Sequence, residues 1–238
     1  LIGLNQELDG AIDSKNQTLE QEQNAKQDLS QDLSRQKETV SSLRSEERGL
    51  LSTLKKQEKQ REKVNKEIQR IIEAEIRASK EDNEGVFSLT PEAAALSADF
   101  EKNRGKLPWP VERGVITQKF GDNPHPVLAG IMVPNNGVNI ATNQNAQIRA
   151  VFDGTISGVI SIPGAGKSII INHGGYRSVY SNMKEVFVSK GQTISAKEAI
   201  GLVLTDEVDG KTEAHIEIWK VSEKGTVKED PAKWITRQ

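Results

Sequence analysis

Apolar residues recur at alternating spacings of four and three along the first third of the chain. The series starts at Leu1 and can be followed to Glu75, and Leu, Ile or Val occupies 13 of its 22 positions. Gln, Lys, Glu and Ser fill most of the places between them. This pattern predicts one long helix over residues 1–78 that carries the narrow seam of a coiled coil. A single helix cannot bury such a seam, so a partner helix is expected, either upstream in the same protein or in another chain.

Residues 79–106 link the long helix to a C-terminal region with a different pattern. Thr90, Pro91 and Glu92 are typical of a helix start, with an N-cap residue, a proline in the first turn and an acid beside it. The helix is expected to run from Thr90 to Asn103, with Leu96 and Phe100 on its apolar face. Two interpretations stay open: the helix packs permanently on the next domain, or it is a movable regulatory helix over that domain's groove.

From Val111 onward, short apolar runs alternate with turn residues, which is typical of antiparallel β structure. The sequence therefore predicts an all-β domain over residues 107–238. The expected strands are Gly114–Phe120, Gly137–Ile140, Gln147–Phe152, Gly154–Ile162, Lys167–His173, Arg177–Met183, Ala199–Val203 and His215–Lys220.

Composition agrees with this division and excludes several classes of protein. Residues 1–86 contain neither aromatic residues nor proline, so they lack the large side chains of a globular core. The net charge of −2 gives no reason to expect nucleic acid as a partner. No apolar run approaches the roughly 20 residues of a membrane span. Because the chain starts at Leu1 and not at Met, we expect a targeting segment to lie in a part upstream.

Short motifs along the β domain succeed one another in an order that resembles the LytM-type (lysostaphin-like) zinc peptidases. They include Phe120–Gly121, Asn135–Ile140, Val151–Ile156, Ile169–Gly174, Tyr180–Asn182, Val188–Thr193, His215–Ile218 and Trp234. Active members hold Zn²⁺ with two His and one Asp and leave a fourth position for water. Two further His assist the reaction.

The resemblance puts the metal-ligand positions on Asn135, Asn139 and His215, and the assisting positions on Asn182 and Glu213. Four of these five positions have lost the family's residue. Because a carboxamide is a poor zinc ligand and no proton acceptor near neutral pH, we expect neither metal, cofactor nor catalytic residue. A weak metal site built from Glu213, His215 and Glu217 on one strand face is the alternative. His125 and His173 are expected to be structural.

Together the coil, the Thr-Pro-Glu helix start, the segment Gly105–Val111 and the degenerate β domain resemble the murein hydrolase activator EnvC family. The resemblance implies a periplasmic protein whose coil docks on an FtsE–FtsX-type transporter. It also implies that the groove binds the inhibitory helix of a cell-wall N-acetylmuramoyl-L-alanine amidase during septal peptidoglycan splitting. Peptidoglycan would then be nearby, although this chain would not cut it.

The predicted partner-binding groove is made of Asn135, Asn139, Tyr180, Asn182, Lys211, Glu213 and His215. The predicted regulatory helix is anchored by Leu96 and Phe100. Two other functions stay open at this point: a divergent LytM-type peptidoglycan endopeptidase, and a cell-wall-binding scaffold that activates nothing.

Overall fold

The structure is a computed structural model, which describes residues 2–81, 88–207, 210–223 and 225–237. Its contacts divide the chain into two compact units, residues 1–55 and residues 56–238. The division falls inside the long helix α1 (Ile2–Glu81), ahead of the end predicted at residue 78. The second unit therefore contains the last part of α1 as well as the β domain.

The β domain has short strands, as its turn residues predict. They are β1 (Val115–Gln118), β2 (Gly121–Pro124), β3 (Met132–Asn135), β4 (Val138–Ala141), β5 (Gln147–Arg149), β6 (Gly154–Ser161), β7 (Lys167–Asn172), β8 (Tyr176–Val186), β9 (Thr193–Ile194), β10 (Ala199–Val203), β11 (Glu213–Ser222) and β12 (Gly225–Glu229). A 3₁₀ turn follows at Pro231–Lys233. The antiparallel β domain is thus confirmed. The β2–β3 hairpin, β9 and β12 were missed by the sequence prediction.

Ten of the described strands form one sheet, with the order β1-β4-β11-β8-β7-β6-β9 along its main path. In addition, β12 pairs with β11, and β10 pairs with both β5 and β8. Successive side chains of a strand point to opposite faces. Accordingly Ile169 and Ile171 enter the main core, whereas Ile170 packs in a second apolar cluster on the other face.

In the first unit, the apolar seam of α1 faces solvent. Leu29 is 61% exposed and Leu43 is 59% exposed. The coiled coil therefore remains a prediction for residues 1–55. No helix in the described part of the chain combines the length and apolarity that a membrane crossing requires.

In the second unit, residues 57–76 of α1, which we call the covering segment, pack on one face of the sheet. Ile68 and Ile72 are fully buried against Ile170, Val179 and Trp219. Burial of an isoleucine side chain contributes about 1.5–3 kcal/mol. The seam that predicted a helical partner is here covered by a sheet.

Glycines allow the helix to approach the sheet so closely. A Cβ at Gly158 would lie 3.0 Å from Ile71 Cδ1, and one at Gly164 would lie 2.6 Å from Gln60 Nε2. A side chain at either position would displace the end of the Ile71 or Gln60 side chain. The two glycines thus leave room for these helix side chains against the sheet.

The short helix α2 (Pro91–Lys102) is confirmed together with its predicted N-cap. Thr90 Oγ1 accepts a hydrogen bond from Ala93 N at 3.2 Å, and Pro91 occupies the first turn. Phe100 is fully buried in the main core, where its ring stacks on those of His173 and Tyr176. α2 is therefore an integral part of the β domain.

Candidate functional site

Strands β3, β4, β8 and β11 bring five of the predicted groove residues together. Asn135 ends β3, Asn139 lies on β4, and Glu213 and His215 lie on β11. His215 pairs directly with Asn139 across the β4–β11 ladder and with Ser181 across the β8–β11 ladder. Asn182 follows Ser181 with a positive φ of 62°. The strand pairing thus assembles what the sequence separates by up to 80 residues.

His215 has protein partners at both ring nitrogens. Its Nδ1 lies 2.7 Å from Asn139 Oδ1, and its Nε2 lies 3.2 Å from Glu217 Oε1. Asn139 is itself held, because its Nδ2 donates to Gln118 Oε1 at 3.0 Å. His215 is therefore fixed by hydrogen bonds within the protein.

Glu217 is a buried carboxylate that the sequence analysis treated only as part of an alternative metal site. Burial favours its neutral form, but the hydrogen bond and charge of His215 and the charge of Lys228 prevail and lower its pKa below the usual value. Trp219 Nε1 donates to Glu217 Oε2 at 2.9 Å. Lys228 Nζ lies 3.8 Å from the same oxygen and 4.4 Å from the centre of the Trp219 ring. The carboxylate is thus stabilised in its charged form beneath the site.

Asn182 and Glu213, at the two assisting positions, are also engaged. Asn182 Nδ2 donates to the carbonyl oxygen of Glu213 at 2.6 Å. The Glu213 carboxylate accepts from Thr117 Oγ1 at 2.8 Å and from Asn139 Nδ2 at 3.4 Å. These contacts fix the carboxylate at the rim of the site.

Asn135 is only half satisfied. Its Oδ1 accepts from Gly137 N at 3.2 Å, which is a local turn contact. Its Nδ2 is buried and has no hydrogen-bond partner within the described part of the chain. The residue is 6% exposed and lines the cavity at the site.

These residues do not fit a catalytic zinc ion. Zinc in a peptidase needs imidazole and carboxylate donors with free lone pairs and an open fourth position. Two of the three ligand positions carry neutral amides, and the third, His215, has both nitrogens at hydrogen-bonding distance from protein oxygens. Among the described residues, no group of three or more His, Cys, Asp or Glu side chains is arranged to hold a metal.

The covering segment lies directly over the site. Arg61 Nη1 donates to the carbonyl oxygen of Pro134 at 2.8 Å, next to Asn135. Lys228 Nζ donates to Asn65 Oδ1 at 3.3 Å. A cavity of about 340 Å³ remains between helix and sheet. It is lined on one side by Gln57, Gln60, Arg61, Val64 and Asn65, and on the other by residues that include Asn135, Asn139, Asn182, Glu213, His215 and Glu217.

The far end of the covering segment is held by a buried ion pair. Arg177 Nη2 lies 2.8 Å from Glu75 Oε2, and the Arg177 side chain is 4% exposed. Burial lowers the pKa of Arg177, and the Glu75 charge opposes that shift. Removing Glu75 would leave a buried guanidinium without its counter-ion, which typically costs about 3–5 kcal/mol.

The structure corrects the prediction of a regulatory helix at Thr90–Asn103. Phe100 is a core residue, not a detachable anchor, because its ring also packs 4.9 Å from that of Trp234. Leu96 is half-buried on the same short helix. Among the described residues that line the cavity, none belongs to α2. The element over the site is α1, whose seam the sequence assigned to a coil.

Two further groove residues lie elsewhere than predicted. Tyr180 is fully buried, and its hydroxyl accepts from Val151 N at 2.8 Å, so it cannot stack on an incoming helix. Its side chain points into the main core because its neighbour Ser181 takes the groove face of β8. Lys211 is exposed and lines an adjoining depression beyond Glu213.

The other two histidines have structural surroundings. His173 Nδ1 lies 2.6 Å from the Asp153 carbonyl oxygen, and Nε2 lies 2.7 Å from Ser178 Oγ. Complete burial lowers the pKa of His173 to about 4. His125 Nδ1 accepts from Val127 N and Leu128 N and so closes a turn.

Sequence reasoning missed Lys228, Trp219 and Arg61 as residues of the site region. The alternation Glu213, His215, Glu217, Trp219 along β11 was a usable signal, because it puts all four on one face. Nothing in the sequence pattern pointed to Arg61, since its contact with Pro134 spans 73 residues.

Comparison with known proteins finds similarity mainly in the central part of the β domain. Residues 133–229 match the peptidase family M23. The peptidoglycan DD-endopeptidase ShyB of Vibrio cholerae is 33% identical over 98 residues, which are 40% of this chain and 23% of that protein. The murein hydrolase activator EnvC of Escherichia coli is 27% identical over 116 residues, 48% of this chain and 26% of that protein.

Among solved structures, Csd3 of Helicobacter pylori aligns with a TM-score of 0.44 and 26% identity. The alignment covers 56% of this chain and 35% of that structure. The chain spans about a quarter of the length of ShyB and EnvC.

Proposed function

We propose that the M23 (LytM-type) domain of this chain is a binding module that activates a cell-wall N-acetylmuramoyl-L-alanine amidase and does not itself cut peptides. The observation that carries the proposal is the state of His215. Its two ring nitrogens face Asn139 Oδ1 and Glu217 Oε1, where a zinc peptidase needs a ligand free to bind metal. The amide at Asn182 adds to this, because it cannot accept a proton as a general base.

A groove without a metal ion, such as the one around His215, is suited to bind a helix. The face of the sheet around His215 already accommodates one helix, the covering segment, through Ile68 and Ile72 and the polar contacts of Arg61. An amphipathic helix from a partner would use the same kind of anchors. The inhibitory helix of an amidase is the partner that the resemblance to the EnvC family implies, and its capture would free the amidase's active site.

Competition between two helices makes this groove a two-state switch. The partner helix binds only when the covering segment has left, so its apparent affinity falls with the fraction of open molecules. We propose that force on α1 from an FtsE–FtsX-type transporter in the cell envelope shifts this balance. In this proposal the regulatory role predicted for α2 belongs instead to residues 57–76.

The relatives support this proposal unequally. EnvC is named a murein hydrolase activator, which agrees with an activator role. ShyB is named a peptidoglycan DD-endopeptidase, which favours the alternative of a divergent endopeptidase. The amides at positions 135, 139 and 182 of this chain are the reason to prefer the activator.

A binding experiment with a labelled peptide tests the proposal. The probe is the inhibitory helix of a cell-wall amidase from the same cell, followed by fluorescence anisotropy. We expect the double variant Ile68→Asp/Ile72→Asp to bind it at least about tenfold more tightly than the native chain, because two buried charges release the covering segment. The matched control is Leu29→Asp/Leu33→Asp, which puts the same charges on exposed positions of α1. No binding to either the native or the opened chain would contradict the proposal.

A further inference from the structure

A second depression on the β domain carries two arginines and lies outside the site described above. It has a volume of about 470 Å³, and its lining includes Arg113, Arg149, Thr142 and Asn143. Arg149 is placed by β5, where its backbone N–H donates to the Pro110 carbonyl oxygen at 2.7 Å. Thr142 Oγ1 in turn donates to the Arg113 carbonyl oxygen at 2.7 Å. The backbone of both arginines is thus held by a hydrogen bond beside the depression.

The two guanidinium groups are not paired with an acid anywhere in the part of the chain that the structure describes. Within the described part of the chain, neither Arg113 nor Arg149 takes part in an ion pair. The Nε atom of Arg149 is buried and has no hydrogen-bond partner there either. A buried donor without an acceptor is unfavourable and needs an explanation, such as a ligand that completes it. Glu112 also lines the depression, which leaves it with two positive side chains and one negative.

This depression is connected to the groove. A third depression, of about 700 Å³, shares Thr142 and Asn143 with the arginine-lined one. The same third depression shares Glu213 with the cavity at His215. The surface therefore continues from the degenerate metal site, past the end of β4, to the two arginines.

The covering segment reaches only one end of this continuous surface. Its residues line the cavity at His215. Among the described residues that line the other two depressions, none belongs to α1. A ligand is therefore able to reach Arg113 and Arg149 while Ile68 and Ile72 are still seated on the sheet.

We propose that Arg113 and Arg149 bind carboxylate side chains of the partner protein whose helix competes with the covering segment for the groove. This binding takes place before the covering segment leaves. The inference rests on the proposed function, since it names how that partner first makes contact. Guanidinium groups bind planar carboxylates through paired, charge-assisted hydrogen bonds, which suits two arginines that form no ion pair among the described residues. The side-chain amides beside them, including Asn143, supply further donors.

The two arginines allow the partner to bind while the covering segment still lies on the sheet. Once an acidic stretch is held at the arginines, its adjoining helix faces the groove at a high effective concentration. It then occupies the site as soon as the covering segment lifts. Opposite charges also accelerate the first encounter, so the step is sensitive to salt.

The test uses the native chain and two fluorescein-labelled peptides, hexaglutamate and hexaglutamine. We expect hexaglutamate to bind the closed native chain and hexaglutamine not to bind. The double variant Arg113→Gln/Arg149→Gln is expected to weaken hexaglutamate binding by about tenfold or more, the usual effect of losing charge-assisted bonds. Arg113→Gln alone, at an exposed position, provides the same readout if the double variant does not fold.

The matched control is Arg44→Gln/Arg48→Gln, which removes two exposed arginines of α1 and changes the net charge equally. An equal loss of binding in this control would overturn the inference, because binding would then follow net charge alone. So would unchanged hexaglutamate binding in the Arg113→Gln/Arg149→Gln variant.

A second measurement separates this inference from the proposed function. In the opened Ile68→Asp/Ile72→Asp background, the concentration for half-maximal amidase activation should rise several-fold with Arg113→Gln/Arg149→Gln. Activation that is insensitive to these arginines would overturn the inference and leave the activator role intact. Absence of activation in every opened variant would count against the activator role itself, whatever hexaglutamate does.

Discussion

Two helical segments pack on the β domain, and they do so in different ways. α2 inserts an aromatic ring, Phe100, among His173, Tyr176 and Trp234 in the main core. The covering segment lays aliphatic side chains on the opposite face of the sheet and leaves a cavity of about 340 Å³ beneath it. The ring of Phe100 completes the domain's main core, whereas the covering segment packs on the outer face of the sheet over a cavity. This difference is the reason to propose that the covering segment, and not α2, is the helix that leaves.

The largest effect is expected from Phe100→Ala. The loss of a fully buried ring at the centre of an aromatic cluster should cost about 3–5 kcal/mol and destabilise the whole β domain. Urea unfolding followed by tryptophan fluorescence measures it. Leu96→Ala, at a half-buried position of the same helix, is the control and should cost far less. A Phe100→Ala domain of native stability would show that α2 is not part of the core.

Ile68→Ala should cost about 2–5 kcal/mol, but locally. The contact of the covering segment with the sheet is weakened, whereas β7, β8 and β11 keep their ladder. Hydrogen exchange is therefore expected to speed up in residues 57–76 and to stay slow in those strands. Leu51→Ala, at an exposed position of α1, is the matched control. Faster exchange across the entire sheet would contradict the idea of a separable segment.

Acid should weaken the α2 side of the domain through His173. Its pKa is about 4 in the folded protein and 6.5 without burial, so the unfolded chain takes up the proton first. Stability is then full above pH 6.5 and is lost as the pH falls toward 4, by roughly 3 kcal/mol in total. Urea midpoints at pH 7 and pH 5 check this. Stability that does not fall over this range would show that His173 titrates normally.

The smallest effect is expected from Arg61→Ala. Its single hydrogen bond to the Pro134 carbonyl oxygen holds the covering segment beside the site and should contribute about 1 kcal/mol. Hydrogen exchange of residues 57–65 should rise modestly. Arg48→Ala, on an exposed part of α1, serves as the comparison and should change nothing there.

Local patterns predicted the β domain and α2 because their signals lie within a few residues of each other. Thr90 and Pro91 mark the helix start, and strands such as β10 (Ala199–Val203) fall where the apolar run predicted. The short strands without alternation, such as β9, gave no comparable signal. The resemblance supplied the positions that β4 and β11 bring together at His215.

The sequence did not predict which element covers the site, because the same heptad pattern occurs in the exposed part of α1 and in the part that packs on the sheet. Leu29 and Ile68 occupy the same kind of seam position, yet Leu29 is 61% exposed and Ile68 is fully buried on a sheet. A periodic apolar stripe specifies that a surface must be covered, but it does not specify by what. The same limit explains why Phe100 looked like a detachable anchor on an amphipathic helix.

The most direct test of the central claim is dye release from labelled cell walls by the opened chain, Ile68→Asp/Ile72→Asp, in the presence of zinc, with and without a cell-wall amidase. We predict no release by the chain alone, strong release with the amidase, and weak release when the native, closed chain replaces the opened one. Release of dye by the opened chain without any amidase would contradict the account, because the groove around His215 would then be a working peptidase site.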